Sequence, residues 1–162
     1  DKSSRWISGS ESRQRVMEFR SASDAVLVGR RTFEIDSPSL TVRDAQGRKK
    51  PGAQPQRIVL SGKDNREESL EDYLISLRKQ GLFRILVEGG RGVFNSFLRS
   101  GLWDRLTVFQ SPDLLGSGVP FSGDLGIGGI GGKIVLQDRD TWISGRDVEI
   151  NGYREALECL QV

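Results

Sequence analysis

Residues 85–98 read ILVEGGRGVFNSFL, and the order strand, glycines, helix within them decides the fold. FRILVEGG (83–90) reads as a strand, and GVFNSFLRSG (92–101) as a helix stopped by glycine. Gly89, Gly90 and Gly92 leave backbone N–H groups open to a phosphate. The dipole of a helix starting near Val93 favours negative charge at the same place. Asn95 and Ser96 fall in its first turn as further donors. A tight strand-to-helix turn also calls for glycine, so order and spacing alone leave a phosphate site and a plain turn both open.

Outward from this stretch, helix and strand alternate. Ser8 or Ser10 caps a helix through ESRQRVMEFRSAS (11–23), with Val16, Met17, Phe19 and Arg20 within about one turn. DAVLVGR (24–30) reads as a buried strand. RTFEIDSPSLTVR (31–43) follows, and Ser37-Pro38 blocks helix continuation there. RDAQGRKKPGAQPQ (43–56) is polar and basic and reads as a mobile loop. RIVLSG (57–62) is a second buried strand. SLEDYLISLRKQG (69–81) is an amphipathic helix with Leu70, Tyr73, Leu74 and Leu77 on one face, stopped by Gly81.

The last third changes character. DRLTVFQSP (104–112) reads as a strand. KIVLQDRDTWISGRDVEINGYR (133–154) reads as two strands alternating apolar and polar, joined at SGRD. The whole predicts an α/β fold: a mixed, mainly parallel sheet flanked by helices, with antiparallel C-terminal edge strands. GIGGIG (126–131) fits the spacing G-x-G-x-x-G. It follows a Pro/Gly/Ser-rich loop and precedes a strand, so it reads as a turn-forming loop and not a dinucleotide fingerprint.

The 162 residues suit one domain with a real core. Against 24 basic residues stand 22 acidic ones, and a formal charge of +2 is too weak to argue for nucleic acid. No apolar run approaches a membrane span, and the opening DKSSRWISGS lacks the apolar segment of a signal peptide. One cysteine, Cys159, permits a reducing compartment, and the expected location is cytoplasmic. Histidine is absent, which excludes Ser-His-Asp chemistry and histidine-ligated zinc; no metal site is expected.

Residues 4–43 (SRWISGSESRQRVMEFRSASDAVLVGRRTFEIDSPSLTVR), 56–62 (QRIVLSG) and 85–116 (ILVEGGRGVFNSFLRSGLWDRLTVFQSPDLLG) together resemble a known family. It is the reductase domain of the bifunctional riboflavin-biosynthesis deaminase/reductase, which has the dihydrofolate-reductase-like fold. The resemblance implies that NADPH donates hydride to C1′ of the ribosyl group of a 5-amino-6-(5-phosphoribosylamino)pyrimidine, giving the ribityl product. It implies substrate contacts at Ser4, Arg20, Leu40, Arg43 and Glu88. It implies NADPH contacts at Trp6, Thr32, Asp36 and the turn Gly90, Arg91, Gly92, Val93, Phe94, Asn95 and Ser96, beside Gly89. On this reading Arg20 and Arg43 grip the 5′-phosphate by forked hydrogen bonds. Glu88 accepts from ring N–H or ribose hydroxyl groups, and Asp36 handles a proton; these two are the expected catalytic residues. Ser61 and Gly62, with Lys63 after them, supply a hydroxyl, a permissive backbone and a cation, and so favour NADPH over NADH.

Family members carry a strand before the SRWIS segment, with a DGK-like turn; this chain begins at Asp1 and shows none, so one reductase domain lacking that strand is expected across 1–162. The deaminase half is absent too: its H-x-E and P-C-x-x-C signature cannot exist without histidine. Arg30, Arg31 and Ser37 stand where the family has small residues and a paired aspartate. The resemblance further implies a homodimer, with the tail residues Leu157, Leu160 and Val162 contributing, and a deaminase domain fused or docked. Two other readings stay open: a dihydrofolate-reductase-like oxidoreductase of other specificity, and a non-catalytic nucleotide-binding or docking domain. The substrate's ring, uracil or diaminopyrimidine, is open as well.

Overall fold

Five consecutive buried residues, Ala25–Gly29, form β1, the central strand of a parallel sheet. Such a strand is covered on both faces, which is why it reads as an unbroken apolar run. β2 (Gln56–Leu60) and β3 (Ile85–Gly89) flank it in the order β2-β1-β3, both parallel to it. The computed structural model describes residues 7–61, 69–114, 116, 118 and 120–156; Ser4, Trp6, Gly62, Lys63, Leu157, Leu160 and Val162 lie outside them. The chain divides into two compact units. One comprises Gln14–Ser100 and Pro120–Leu125, the other Asp1–Arg13, Gly101–Val119 and Gly126–Val162.

The parallel unit is built around Val26, Val28 and Leu40, with Phe33, Val59 and Leu86 packed on them. Helix α1 spans Ser10–Ser21, and its last turn carries Arg20. α2 (Arg30–Asp36) springs directly from β1 and ends where Ser37-Pro38 predicts, with Ser37 at φ 42°. α3 (Leu70–Lys79) is capped by the Ser69 hydroxyl, which accepts from the Asp72 N–H at 3.1 Å. Leu77 is its most buried residue, and Gly81 at φ 84° stops it, as the spacing predicts. α4 (Arg91–Ser100) starts one residue before the expected 92–101 and buries Val93 and Phe97. Asp24 ties β1 to β3: its Oδ2 accepts from the N–H groups of Phe83 (2.9 Å) and Arg84 (2.7 Å). Those two donors hold its carboxyl below the usual range.

The segment expected to be a mobile loop is hydrogen-bonded into a small hairpin. Arg43 and Lys49 form an antiparallel bridge. Asp44 organises the turn, accepting from the N–H groups of Gln46 and Arg48 and from the Arg48 guanidinium at 2.8 Å. Polarity alone does not distinguish such an Asx-type turn from a floppy one.

The antiparallel unit contains β4 (Arg105–Gln110), β5 (Gln137–Ser144) and β6 (Asp147–Tyr153), in the order β4-β6-β5. Among the described residues the strands form two ladders of three, one parallel and one antiparallel. GIGGIG lies before β5, and its last two residues begin a three-residue 3-10 turn, Ile130–Gly132, consistent with a turn-forming loop.

Alternation in β6 is real, but its sense is the reverse of the usual one. Asp147, Glu149 and Asn151 are buried, while Val148 and Ile150 are half-buried. Most of this polar face is hydrogen-bonded; Asp147 Oδ1 is the exception, buried with no hydrogen-bond partner among the described residues and 3.8 Å from Arg146 Nε. Asn151 Oδ1 accepts from Arg105 and Thr107, both at 2.7 Å. Its Nδ2 donates to Asp140 (2.8 Å) and Glu149 (2.9 Å). Asp147 Oδ2 accepts from the Ser12 hydroxyl at 2.6 Å and the Gly9 N–H at 2.7 Å, tethering the start of α1. Those bonds, the hydroxyl's first, hold its carboxyl below the usual range.

Candidate functional site

Open α/β sheets bind ligands beyond the carboxyl ends of their strands. In the parallel unit β1 runs into α2 at Gly29/Arg30, and β3 runs into α4 through the single residue Gly90. Gly90 adopts φ 85°, a region that residues with a β-carbon rarely enter. Thr32, in the first turn of α2, stands against this joint: its Oγ1 occupies the place of a β-carbon on Gly90, and its Cγ2 lies 3.7 Å from that of Gly89. Gly29 makes a similar close approach, since a β-carbon there would lie 2.8 Å from Val93 Cγ2. Thr32, Gly89, Gly90 and Val93, all expected at the cofactor, are thus brought together.

The first N–H groups of α4 have no acceptor within the helix. Gly92 faces open space, with nothing within 4 Å of a β-carbon position, and Arg91 is exposed beside it. A glycine cradle, a helix N-terminus and a cation fit the diphosphate of a dinucleotide. The remaining expected donors are engaged elsewhere. Asn95 Oδ1 accepts from the Gly123 N–H at 2.7 Å and its Nδ2 donates to Asp124 O at 3.4 Å, so it fastens segment Pro120–Leu125 to α4. Ser96 Oγ donates back to Gly92 O at 3.0 Å. Phe94 is half-buried. Ser61 is buried, 4% exposed, directly after β2.

Glu88 is the residue that the β1–β3 register steps over: Leu27 faces Val87, and Val28 faces Gly89. Such a bulge re-aims a side chain at a strand end. Here it sends Glu88 to Arg20. Arg20 Nε donates to Oε1 at 2.5 Å and Nη2 to Oε2 at 2.6 Å, while Nη1 donates to Thr41 O at 3.0 Å. Arg43 is exposed and donates to two neutral oxygens, Ser39 Oγ and Gly47 O, both at 2.9 Å. Asp36 is exposed at the end of α2.

Leu40, expected at the substrate, lies in the core of the parallel unit. Its side chain is 4% exposed in the core, and the residue sits at φ 52°. Nothing in the sequence around 40 signals this left-handed backbone. Sequence reasoning also missed Thr41 and segment 120–125, because both join the site through contacts remote along the chain.

A parallel α/β unit with a glycine joint at its carboxyl edge and an antiparallel trio belong to the dihydrofolate-reductase-like fold. Residues 1–149 match the family model "RibD C-terminal domain". The riboflavin biosynthesis protein RibD of Corynebacterium ammoniagenes is 33% identical over 135 residues, covering 74% of this chain and 40% of that protein. The structure of Acinetobacter baumannii RibD superposes with a TM-score of 0.81 at 24% identity, covering 94% of this chain and 52% of that one. A Thermotoga maritima structure described as a diaminohydroxyphosphoribosylaminopyrimidine deaminase/5-amino-6-(5-phosphoribosylamino)uracil reductase superposes at 0.69 with 24% identity, over 93% of this chain and 50% of that one. The chain belongs to the RibD C-terminal domain family, the reductase domains of riboflavin biosynthesis. It spans about half the length of these relatives or less.

Proposed function

We infer that this domain reduces the ribosyl group of 5-amino-6-(5-phosphoribosylamino)uracil to the ribityl product, with NADPH as the reductant. The family match and the T. maritima description support the substrate class. The observation that carries the cofactor is the Thr32–Gly89–Gly90 joint opening onto the N-terminus of α4.

NADPH supplies the hydride when bound. The chain's own residues bind and orient. The N–H groups at Gly90–Gly92 and the Arg91 guanidinium would hold the cofactor's diphosphate. The glycosylamine opens to an imine, which gains hydride at C1′ and a proton at nitrogen. Glu88 accepts from ring N–H or ribose hydroxyl groups and fixes that carbon's position. Asp36, exposed at the end of α2, is the proton handler, and Arg20 and Arg43 take the 5′-phosphate. Ser61, Gly62 and Lys63 after β2 favour the 2′-phosphorylated cofactor by charge.

The partners follow the same reading. A deaminase domain is fused or docked, since the relatives are at least about twice as long as this chain. The domain pairs with a second copy, in keeping with β5, where Trp142 is 60% and Ile143 79% exposed on the outer strand of its ladder. Among the described residues no helix is long and apolar enough to cross a membrane, and the cytoplasm is the expected location.

The test is calorimetric titration with NADPH and NADH, followed by turnover of the phosphoribosylaminopyrimidine in its uracil and diaminopyrimidine forms. Micromolar NADPH-selective binding with turnover of the uracil form is the expected result. Tighter NADH binding, or turnover of neither form, overturns the reading.

A further inference from the structure

Segment Pro120–Leu125 belongs to the parallel unit, while the chain on either side of it, Gly101–Val119 and Gly126–Val162, belongs to the other. One side chain of α4 clasps it at two successive residues. Asn95 Oδ1 accepts from the Gly123 N–H at 2.7 Å, and its Nδ2 donates to Asp124 O at 3.4 Å. An amide used at both ends fixes the register of the segment and not only its proximity.

Arg91 lies one turn before Asn95 on the same face of α4. The segment runs along the Arg91 stem as well: a β-carbon on Gly123 would lie 3.8 Å from Arg91 Cδ and 2.7 Å from Asn95 Nδ2. The contact is made by bare backbone, and a side chain at 123 would hold both α4 side chains off. Arg91 is exposed, and among the described residues it has no ion-pair or hydrogen-bond partner, so no carboxylate fixes where its charge points. Gly92 beside it faces open space. Packing along the stem is therefore what limits the rotamers of this arginine. A cation held in this way loses less freedom when it meets a phosphate.

Resting on the cofactor reading above, we propose that segment Pro120–Leu125 is a strap that aims the Arg91 guanidinium at the cofactor's diphosphate, with Gly123 and Asn95 as positioning residues.

The experiment is calorimetric titration of the full-length natural protein with NADPH and with adenosine 2′-phosphate, which keeps the adenosine end of NADPH and lacks the diphosphate. The variants are Gly123→Ala, Asn95→Ala, Arg91→Ala, and each of the first two combined with Arg91→Ala. The φ of Gly123 lies outside the left-handed region, so Gly123→Ala tests the contact without straining the backbone. It is expected to weaken NADPH about 10-fold and adenosine 2′-phosphate by less than about twofold. Arg91→Ala shows the same selectivity, and Gly123→Ala/Arg91→Ala loses no more than Arg91→Ala alone. Asn95→Ala, alone and with Arg91→Ala, repeats the pattern and serves if Gly123→Ala does not fold. Equal losses for both ligands, no loss in the strap variants, or additive losses in the double variants overturn the role of the strap while leaving the cofactor reading intact. A wild-type protein that does not bind NADPH overturns that reading and the role with it.

Discussion

The hydroxyl of Thr32 fills the space that a side chain on Gly90 would need. The first turn of α2 and the joint between β3 and α4 therefore constrain each other. Gly90→Ala meets both this contact and a backbone at φ 85°. A left-handed backbone alone costs about 1–2 kcal/mol for a residue with a β-carbon. Thermal melting is expected to show at least that loss, with NADPH affinity falling as the cradle shifts. Thr32→Ala in the same background restores the steric part and leaves the backbone part. A neutral Gly90→Ala would show the joint to be looser than its geometry.

Asn95 is a clasp on segment 120–125. Asn95→Ala leaves the Gly123 N–H without its acceptor at 2.7 Å. An unpaired, part-buried amide costs about 1–3 kcal/mol. Amide exchange at Gly123 is expected to quicken, and NADPH binding to weaken several-fold as the segment lifts from α4. Unchanged exchange at Gly123 would mean the segment is held by its other contacts.

Leu40 acts through packing. Leu40→Ala removes a residue 4% exposed against Val26 and Val28 and is expected to cost about 2–4 kcal/mol in urea unfolding. The effect on substrate KM is expected to be the smaller one. The reverse order, a large KM change with full stability, would make substrate contact and not packing the main role of Leu40.

Asp147 gives the protein an acid limb. Hydrogen bonds from Ser12 and Gly9 depress its folded pKa, so the unfolded chain takes up the proton first as pH falls. Its stabilisation is complete above the ordinary aspartate value of about 4 and is lost as pH drops through the lower folded value. Asp24, held by Phe83 and Arg84, behaves alike. Asp147→Asn is expected to lower stability at neutral pH and to flatten the acid limb of a Tm-against-pH curve. A variant whose acid limb parallels the wild type would assign that limb to other carboxyls.

How much of this was legible beforehand follows from the range of the forces involved. Ser37-Pro38 ends α2 and Gly81 stops α3, because each acts on residues a few positions away. Strand, glycine and helix order at 85–98 was readable for the same reason, and the resemblance carried the family. Other features belong to tertiary structure alone. Alternation in β6 shows two faces but not which one is covered, and the buried Asp147 and Asn151 take hydrogen bonds from partners remote along the chain. The charge of Arg20 was visible in the sequence, but its claim by Glu88, 68 residues away, was not. Local backbone preference and apolar spacing are written in neighbouring residues. The partner of a charge, the direction of a bulge and the occupant of a glycine's empty side are set only when distant segments share one space.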